Sequence, residues 1–278
     1  MTAGAATSAP ERAWRLGVFG WPVHHSRSPV MHTAALRDLD LDHWSYQKLP
    51  VPPDALAGAI AGLRDAGFAG ANVTIPHKHA ALTASDVATA AAREIGAVNT
   101  LTVLDDGTLE GDNTDAPGLI DVIGRPLAGT TAVVLGAGGS ARACVWALRE
   151  AGCARVAVWN RTAERASELA DDLGVDVAEA VGPADVLVNC TSVGLHEPER
   201  TFELLPVGER DLPDYGTVVD LVYRAGGTPL FNAAQAAGIP AVDGLSFLVA
   251  QGARSLERWT GRDVSRRVMD AAVRADAV

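Results

Sequence analysis

The six residues Gly136-Ala137-Gly138-Gly139-Ser140-Ala141 follow directly on a short apolar run, Thr131 to Leu135, and lead into a helical run from Arg142 to Ala151. Strand, glycine turn and helix in succession form the pyrophosphate-binding half of a dinucleotide site. The first glycine turns the chain, the second lets backbone approach the phosphates, and a small third residue packs the helix close to the strand. Free N–H groups at the helix start then face the anion. A glycine turn without a ligand is the competing reading, and the flanking strand and helix weigh against it. The end of the next strand distinguishes the two nicotinamide cofactors, because an NAD site places a carboxylate there to bond the ribose 2′-hydroxyl. This chain has Asn160-Arg161-Thr162 instead, with Arg165 one helical turn beyond Arg161. Two guanidiniums can clamp a 2′-phosphate that a carboxylate would repel, and Thr162 is placed to cap the helix while donating a hydroxyl. The expected cofactor is NADP; two solvated surface arginines are the alternative.

Other residues nominate themselves by type. Of 23 basic residues only Lys48 and Lys78 are lysines. Where a lysine persists in so arginine-rich a chain, the chemistry can require an ammonium, which gives up a proton as a guanidinium does not. Ser28 precedes Pro29 and suits a helix cap, whereas Ser26 has no evident structural duty. Asn72 and Thr74 alternate on one expected strand and so share a face. His24, His25 and His32 surround the serines, and His77 and His79 flank Lys78, but no carboxylate or cysteine joins them at ligand spacing. Local hydrogen bonding is expected of them, and no metal.

The elements that must position these groups alternate. In the first half, Arg15 to Gly20, Trp44 to Leu49, Gly70 to Thr74 and Ala97 to Leu104 read as strands, and Pro29 to Leu39, Pro53 to Ala66 and Asp86 to Ile95 as helices. Asp115 to Ile123 reads as a helix leading into the second half. There, after the glycine turn, come strand Val156 to Trp159, helix Ala163 to Leu173, strands Val186 to Asn189 and Val218 to Leu221, and helix Pro229 to Ala237. Two final helices, Gly244 to Trp259 and Val264 to Ala275, have no strand of their own to cover and are expected to pack back on the first half. Such alternation is the mark of an open α/β sheet.

Composition narrows the class. The 278 residues allow two domains of ordinary size, and 48% apolar with 21% charged residues fits a globular chain. The net charge of −11 argues against a nucleic-acid partner and requires a local positive pocket for any anionic ligand. No apolar run reaches the roughly 20 residues of a membrane span. Met1 to Pro10 carries no basic cluster and reads as a frayed tail rather than a signal peptide. Cys144, Cys153 and Cys190 are too few and too isolated for a disulfide framework, which points to the cytoplasm. Monomer and homodimer both stay open.

Read together, Gly20-Trp-Pro-Val-His-His-Ser-Arg-Ser-Pro29, Asn72-Val-Thr-Ile-Pro-His-Lys78, Gly96-Ala-Val-Asn-Thr100, Gly111-Asp-Asn-Thr-Asp115, the glycine turn, Asn160-Arg-Thr162 and Asp220-Leu-Val-Tyr223 stand in an order that resembles the shikimate dehydrogenase family, from about Arg15 to Val273. The resemblance implies two α/β domains: an open-sheet substrate-binding domain over residues 1–114, completed by 249–278, and a Rossmann-type NADP-binding domain over 115–248. It implies shikimate and 3-dehydroshikimate as small-molecule substrates, with Ser26 and Ser28 on the carboxylate. Thr74, Asn99 and Asp115 would hold ring hydroxyls with Asn72 in support, Gln251 would reach in from the tail, and Tyr223 would lie near the carboxylate. Lys78 and Asp115 resemble the family's proton-transfer pair, and Thr191 and Gly244 complete the expected cofactor contacts. Phe247 stands where a methionine is usual, Arg224-Ala-Gly-Gly227 is unusual after Tyr223, and Thr33 replaces a common asparagine. These departures keep a quinate or aminoshikimate dehydrogenase open. A cofactor-sensing protein without catalysis should have lost Lys78 or Asp115, and both are present.

Overall fold

The computed structural model describes residues 13–276; the tail expected at Met1 to Pro10 lies outside them. Two six-stranded sheets organise the chain. The first contains β1 (Arg15–Gly20), β2 (Ser45–Pro50), β3 (Phe68–Val73), β4 (Val87–Ala88), β5 (Thr100–Val103) and β6 (Leu109–Asp112), in the spatial order β2-β1-β3-β5-β6-β4. Strands β2, β1 and β3 run parallel, while β5 and β6 form an antiparallel hairpin beside β3. Every residue of β3 is buried, as a central strand covered on both faces requires. The helices of this half are α1 (Ser28–Asp38), α2 (Leu56–Ala61), α3 (Lys78–Ala84) and α4 (Ala90–Ile95).

Three expectations in this half need correction. The helix placed over Asp86 to Ile95 is only α4, because Val87 and Ala88 pair with Glu110 and Gly111 as an edge strand. Thr89 then caps α4, its Oγ1 accepting from the Ala92 N–H at 3.2 Å. The helix placed over Pro53 to Ala66 shrinks to a 3-10 turn at Pro53–Ala55 followed by α2, Gly58 and Gly62 weakening any extension. Strand β3 ends at Val73, so Thr74 lies just beyond it.

The second sheet is wholly parallel. It holds β7 (Thr131–Leu135), β8 (Arg155–Trp159), β9 (Asp176–Val177), β10 (Val186–Asn189), β11 (Val218–Asp220) and β12 (Ala241–Val242), in the order β12-β11-β10-β7-β8-β9. Its order reverses between β7 and β10, and in open α/β sheets the ligand crevice forms at the carboxyl ends of such strands. Helix α5 (Asp115–Ile123) enters this half, and α6 (Gly139–Glu150), α7 (Ala163–Leu173), α8 (Thr201–Leu204) and α9 (Pro229–Ala236) follow. Helix α6 starts inside the glycine turn, three residues before the apolar periodicity that marked it at Arg142.

The tail forms α10 (Gly244–Thr260) and α11 (Arg266–Ala275) and returns to the first sheet. Trp259 Nε1 donates to the Leu101 carbonyl at 2.9 Å, directly over Gly70. A Cβ on Gly70 would lie 2.2 Å from Trp259 Nε1, so only glycine admits that ring. Leu16, Met31, Leu36, Val249, Leu256 and Met269 close this core. Early in α10 the two cores divide, Leu245 joining that of the first half and Phe247 that of the second, with Val219 and Ala97.

Candidate active site

Between the carboxyl ends of the two sheets lies a cleft open to solvent. Its lining includes every expected substrate-side residue, namely Ser26, Ser28, Asn72, Thr74, Lys78, Asn99, Asp115, Tyr223 and Gln251. Ser140, Thr191 and Gly244 join them from the cofactor side. Gly136, Ala137, Gly138, Gly139, Ala141, Asn160, Arg161, Thr162 and Arg165 are not part of this lining.

Lys78 and Asp115 are the first residues of two helices, α3 and α5. A carboxylate at a helix N-terminus is favoured by the backbone dipole, whereas an ammonium there is not. The lysine is held instead by contact: Nζ donates to Asp115 Oδ2 at 2.5 Å, with both side chains buried. A second bond runs from Nζ to Ser140 Oγ at 2.9 Å. The other Asp115 oxygen, Oδ1, accepts from Asn99 Nδ2 at 2.7 Å. Asn113 sets the start of α5, its Oδ1 accepting from the N–H groups of Asp115 and Ala116 and its Nδ2 donating to the Ala97 carbonyl. An ammonium has three donors. Two are used here, which leaves one for a substrate oxygen.

Behind the pair stands a buried polar wall. Asn99 Oδ1 accepts from Thr100 Oγ1 at 2.9 Å, from the Thr114 N–H at 2.8 Å and from Thr114 Oγ1 at 3.1 Å. With its carbonyl so held, its amide is aimed at Asp115 and, at 3.3 Å, at Gln251 Oε1. Asn72 is committed inward: it accepts from the Tyr46 hydroxyl at 2.7 Å and donates to Ser255 Oγ at 2.9 Å, with longer contacts to the Asn99 carbonyl and Thr100 Oγ1. Gln251 Nε2 donates to the Leu248 carbonyl at 2.6 Å. Burial pushes the Tyr46 phenol well above its ordinary pKa, keeping it a donor.

At the end of the cleft lined by Ser26 and Ser28, the local roles of the two serines differ from expectation. Ser28 is not the cap of α1: Arg27 occupies that position without a side-chain cap bond, and it is Ser26 Oγ that accepts the Ser28 N–H, at 3.4 Å. Both serines are nevertheless buried at the cleft. Tyr223 is held above its ordinary pKa by burial, with the Arg27 backbone and guanidinium pulling the other way. On the rim, burial together with His24, His196 and Lys48 lowers the His25 pKa. His196 belongs to the second half, so this cluster faces across the cleft. His77 and His79 bond the carbonyls of Val51 and Gly96, whereas the hydrogen bonding expected of His32 is not found among the described residues.

The cofactor side is more open. Gly136 has φ +111°, a conformation that L side chains rarely adopt, and at Gly138 a Cβ would meet nothing within 4 Å. Helix α6 therefore begins with its N–H groups beside unfilled space. Asn160 Nδ2 donates to the Thr162 carbonyl at 2.9 Å, which shapes the turn after β8. Thr162 is the N-cap of α7, yet its side chain makes no capping bond. Arg161 and Arg165 are exposed, and neither guanidinium has a hydrogen-bond or ion-pair partner among the described residues. An anion-ready turn with two unpaired cations one strand away is the donor set that NADP requires. Thr191 Oγ1 donates to Asn189 Oδ1 at 2.7 Å, and Gly244 is held so close to the Leu221 and Val222 carbonyls that a Cβ would lie within 2.6 Å of both.

Comparison with known proteins agrees with this arrangement. The shikimate dehydrogenase substrate binding domain matches residues 18–101, the shikimate / quinate 5-dehydrogenase family matches 119–196, and the shikimate 5′-dehydrogenase C-terminal domain matches 244–274. A shikimate dehydrogenase (NADP(+)) of Methylobacterium radiotolerans is 44% identical over 89% of this chain and 91% of its own length. Another, from Thermus thermophilus, is 45% identical over 89% of this chain and 92% of its own. The chain belongs to the shikimate dehydrogenase family. Among solved structures, a shikimate 5-dehydrogenase of Thermus thermophilus, in complex with NADP(H) and shikimate, superposes with a TM-score of 0.84 at 41% identity, covering 94% of this chain and 99% of that one.

Several residues that shape this family's site here escaped sequence reasoning. Tyr46, Thr100, Thr114 and Ser255 are joined only by the fold. One signal was legible: Ser255 lies four residues after Gln251 on α10, on the same helix face. Asn113 could have been found as the residue two before Asp115, the usual offset of a side chain that bonds backbone at a turn.

Proposed function

We propose that the chain catalyses the reversible NADPH-dependent reduction of 3-dehydroshikimate to shikimate, a step of aromatic amino acid biosynthesis. The observation that carries the reading is the chain of bonds Lys78–Asp115–Asn99, buried at a cleft that Ser140 of the glycine turn also lines. NADPH supplies the hydride. Lys78 Nζ delivers a proton to the carbonyl oxygen as charge develops there, and in the reverse direction takes it back. Asp115 orients the ammonium and, with Asn99 and Thr74, bonds ring hydroxyls. Asn72 holds that wall rather than reaching the ring. Ser26 and Ser28 donate hydroxyls to the carboxylate, with Tyr223 beside them and Gln251 closing the ring site from α10. On the other side Gly136 to Ala141, Thr191 and Gly244 form the bed for the dinucleotide, and Asn160, Arg161, Thr162 and Arg165 select its 2′-phosphate.

The division of labour follows the two sheets, with residues 1–114 and 249–278 serving the substrate and 115–248 the cofactor. The boundary at 249 falls inside α10, whose Phe247 packs with the second half while Leu245 and Val249 pack with the first. A cytoplasmic location fits a freely diffusing nicotinamide cofactor.

The reading is tested by assaying the purified protein with shikimate and with quinate, each with NADP and with NAD. Turnover is expected to be fastest with shikimate and NADP. Faster turnover of quinate would overturn the substrate assignment, and equal rates with NAD the cofactor assignment.

A further inference from the structure

The glycine turn touches more than a dinucleotide. A Cβ on Gly139 would stand 2.8 Å from Lys78 Cβ and 3.1 Å from its Cδ, so the lysine stem runs directly over this glycine. One residue on, Ser140 Oγ accepts the second hydrogen bond of Lys78 Nζ at 2.9 Å. Lys78 comes from the first half of the chain and Gly139-Ser140 from the second. The turn whose N–H groups open toward the phosphate site is thus packed against the nitrogen that handles the proton.

The two partners of Lys78 are not equivalent. A carboxylate only accepts, whereas a hydroxyl accepts or donates as its O–H rotates. While Lys78 is an ammonium, both Asp115 and Ser140 accept from it. When Nζ passes its third proton to the oxygen that has received the hydride at its carbon, the N–H bond breaks, an O–H bond forms, and the electron pair stays on nitrogen. The neutral amine then presents a lone pair that Asp115 cannot satisfy and Ser140 can. In the reverse reaction the same lone pair takes the proton, and the hydroxyl returns to accepting.

We infer that the glycine turn belongs to the proton-transfer machinery: Gly139 leaves the path for the Lys78 stem, and Ser140 is a positioning residue that holds the Lys78 nitrogen in both protonation states. The inference rests on the reading of Lys78 as the proton-transfer group. It adds to Ser140 a duty other than binding the dinucleotide.

The chain lends itself to a direct test because it has only two lysines, Lys48 and Lys78. Protein labelled with 13C at lysine Cε gives two signals, and Lys48 serves as the internal control. In Ser140→Ala, loss of the hydroxyl beside Nζ is expected to shift the Lys78 signal at fixed pH, with Lys48 unmoved. The same variant should lose about five- to tenfold in kcat with both substrates saturating, a loss that weaker dinucleotide binding alone does not give. Ser140→Thr, which keeps the hydroxyl, should recover most of kcat. Lys78→Ala separates the two claims. Wild-type turnover in Lys78→Ala removes the reading of Lys78 itself. If Lys78→Ala is inactive but Ser140→Ala keeps its kcat and its Lys78 signal, that reading stands and the inference about Ser140 falls. It falls equally if Ser140→Ala weakens NADPH binding while kcat at saturation is retained.

Discussion

The two walls of the cleft are built on opposite plans. On the substrate side Asn72, Asn99, Thr100, Thr114 and Ser255 are buried and bonded to one another, so their rotamers are set when the chain folds. On the cofactor edge Arg161 and Arg165 are exposed, with no comparable web of bonds among the described residues to hold them in place. A fixed wall suits discrimination between ring hydroxyls, since the cost of ordering its side chains is met before the ligand arrives. Exposed guanidiniums suit a phosphate, which attracts them over several ångströms and accepts bonds from many directions.

The sharpest way to break this contrast is at its meeting point. Lys78→Ala should fold and bind NADP as before, yet lose on the order of 10² to 10⁴ in kcat, the range of general acid–base catalysis, or roughly 3 to 5.5 kcal/mol of transition-state stabilisation. Lys78→Arg should restore little, because a guanidinium does not exchange the proton near neutral pH. Steady-state kinetics with shikimate and NADP decide the matter, and near-wild-type kcat in Lys78→Ala would return Lys78 to a structural role.

The next largest effect concerns pH, and on the substrate side it centres on His32. His32 is fully buried, stacked on Tyr46 with ring centroids 4.2 Å apart, and neither ring nitrogen has a hydrogen-bond partner among the described residues. Burial, opposed in part by the nearby Asn72 side chain, pushes its pKa down to about 3. Between that value and the ordinary 6.5 the unfolded chain binds a proton that the folded chain refuses. Stability therefore falls as pH drops through this window, with a slope of up to about 1.4 kcal/mol per pH unit. His32→Phe keeps a ring on Tyr46 and removes the titration. Denaturant midpoints at pH 7 and pH 5 should converge in the variant relative to wild type, and an unchanged difference would show that His32 contributes nothing to it.

Smaller effects distinguish the walls by kind. Ser255→Ala leaves buried Asn72 and Thr100 short of a partner and should cost about 1 to 3 kcal/mol of stability, read by denaturant unfolding. Replacing both Arg161 and Arg165 with Ala should leave stability within about 0.5 kcal/mol of wild type. It should weaken NADP by roughly tenfold, screening by water and salt limiting the loss, and NAD far less. Equal weakening of both cofactors in titration would refute the clamp, and a stability loss as large as that of Ser255→Ala would erase the distinction between the walls.

Much of the cofactor half was legible in the residues. Strands β7 and β10 and helix α7 lie where apolar runs and periodicity placed them, because parallel strands buried on both faces write themselves as continuous Val and Leu. The first half was read less well. The edge strand β4 and the hairpin strand β6 are only two and four residues long and owe their conformation to pairing with their neighbours. Helix α3 went unseen because its seven residues are fewer than the window over which helical periodicity can be read.

The residue types needed for the chemistry, an ammonium, a carboxylate, paired hydroxyls and a glycine turn, are properties of the sequence, since each follows from local composition and order. Their meeting is not. Asp115 lies 37 residues from Lys78 along the chain and Ser140 lies 62, while Ser255 reaches Asn72 across 183. Separations of that order are closed only when two sheets and a returning helix pack, because burial of their shared cores, not local propensity, holds these polar groups within hydrogen-bonding reach.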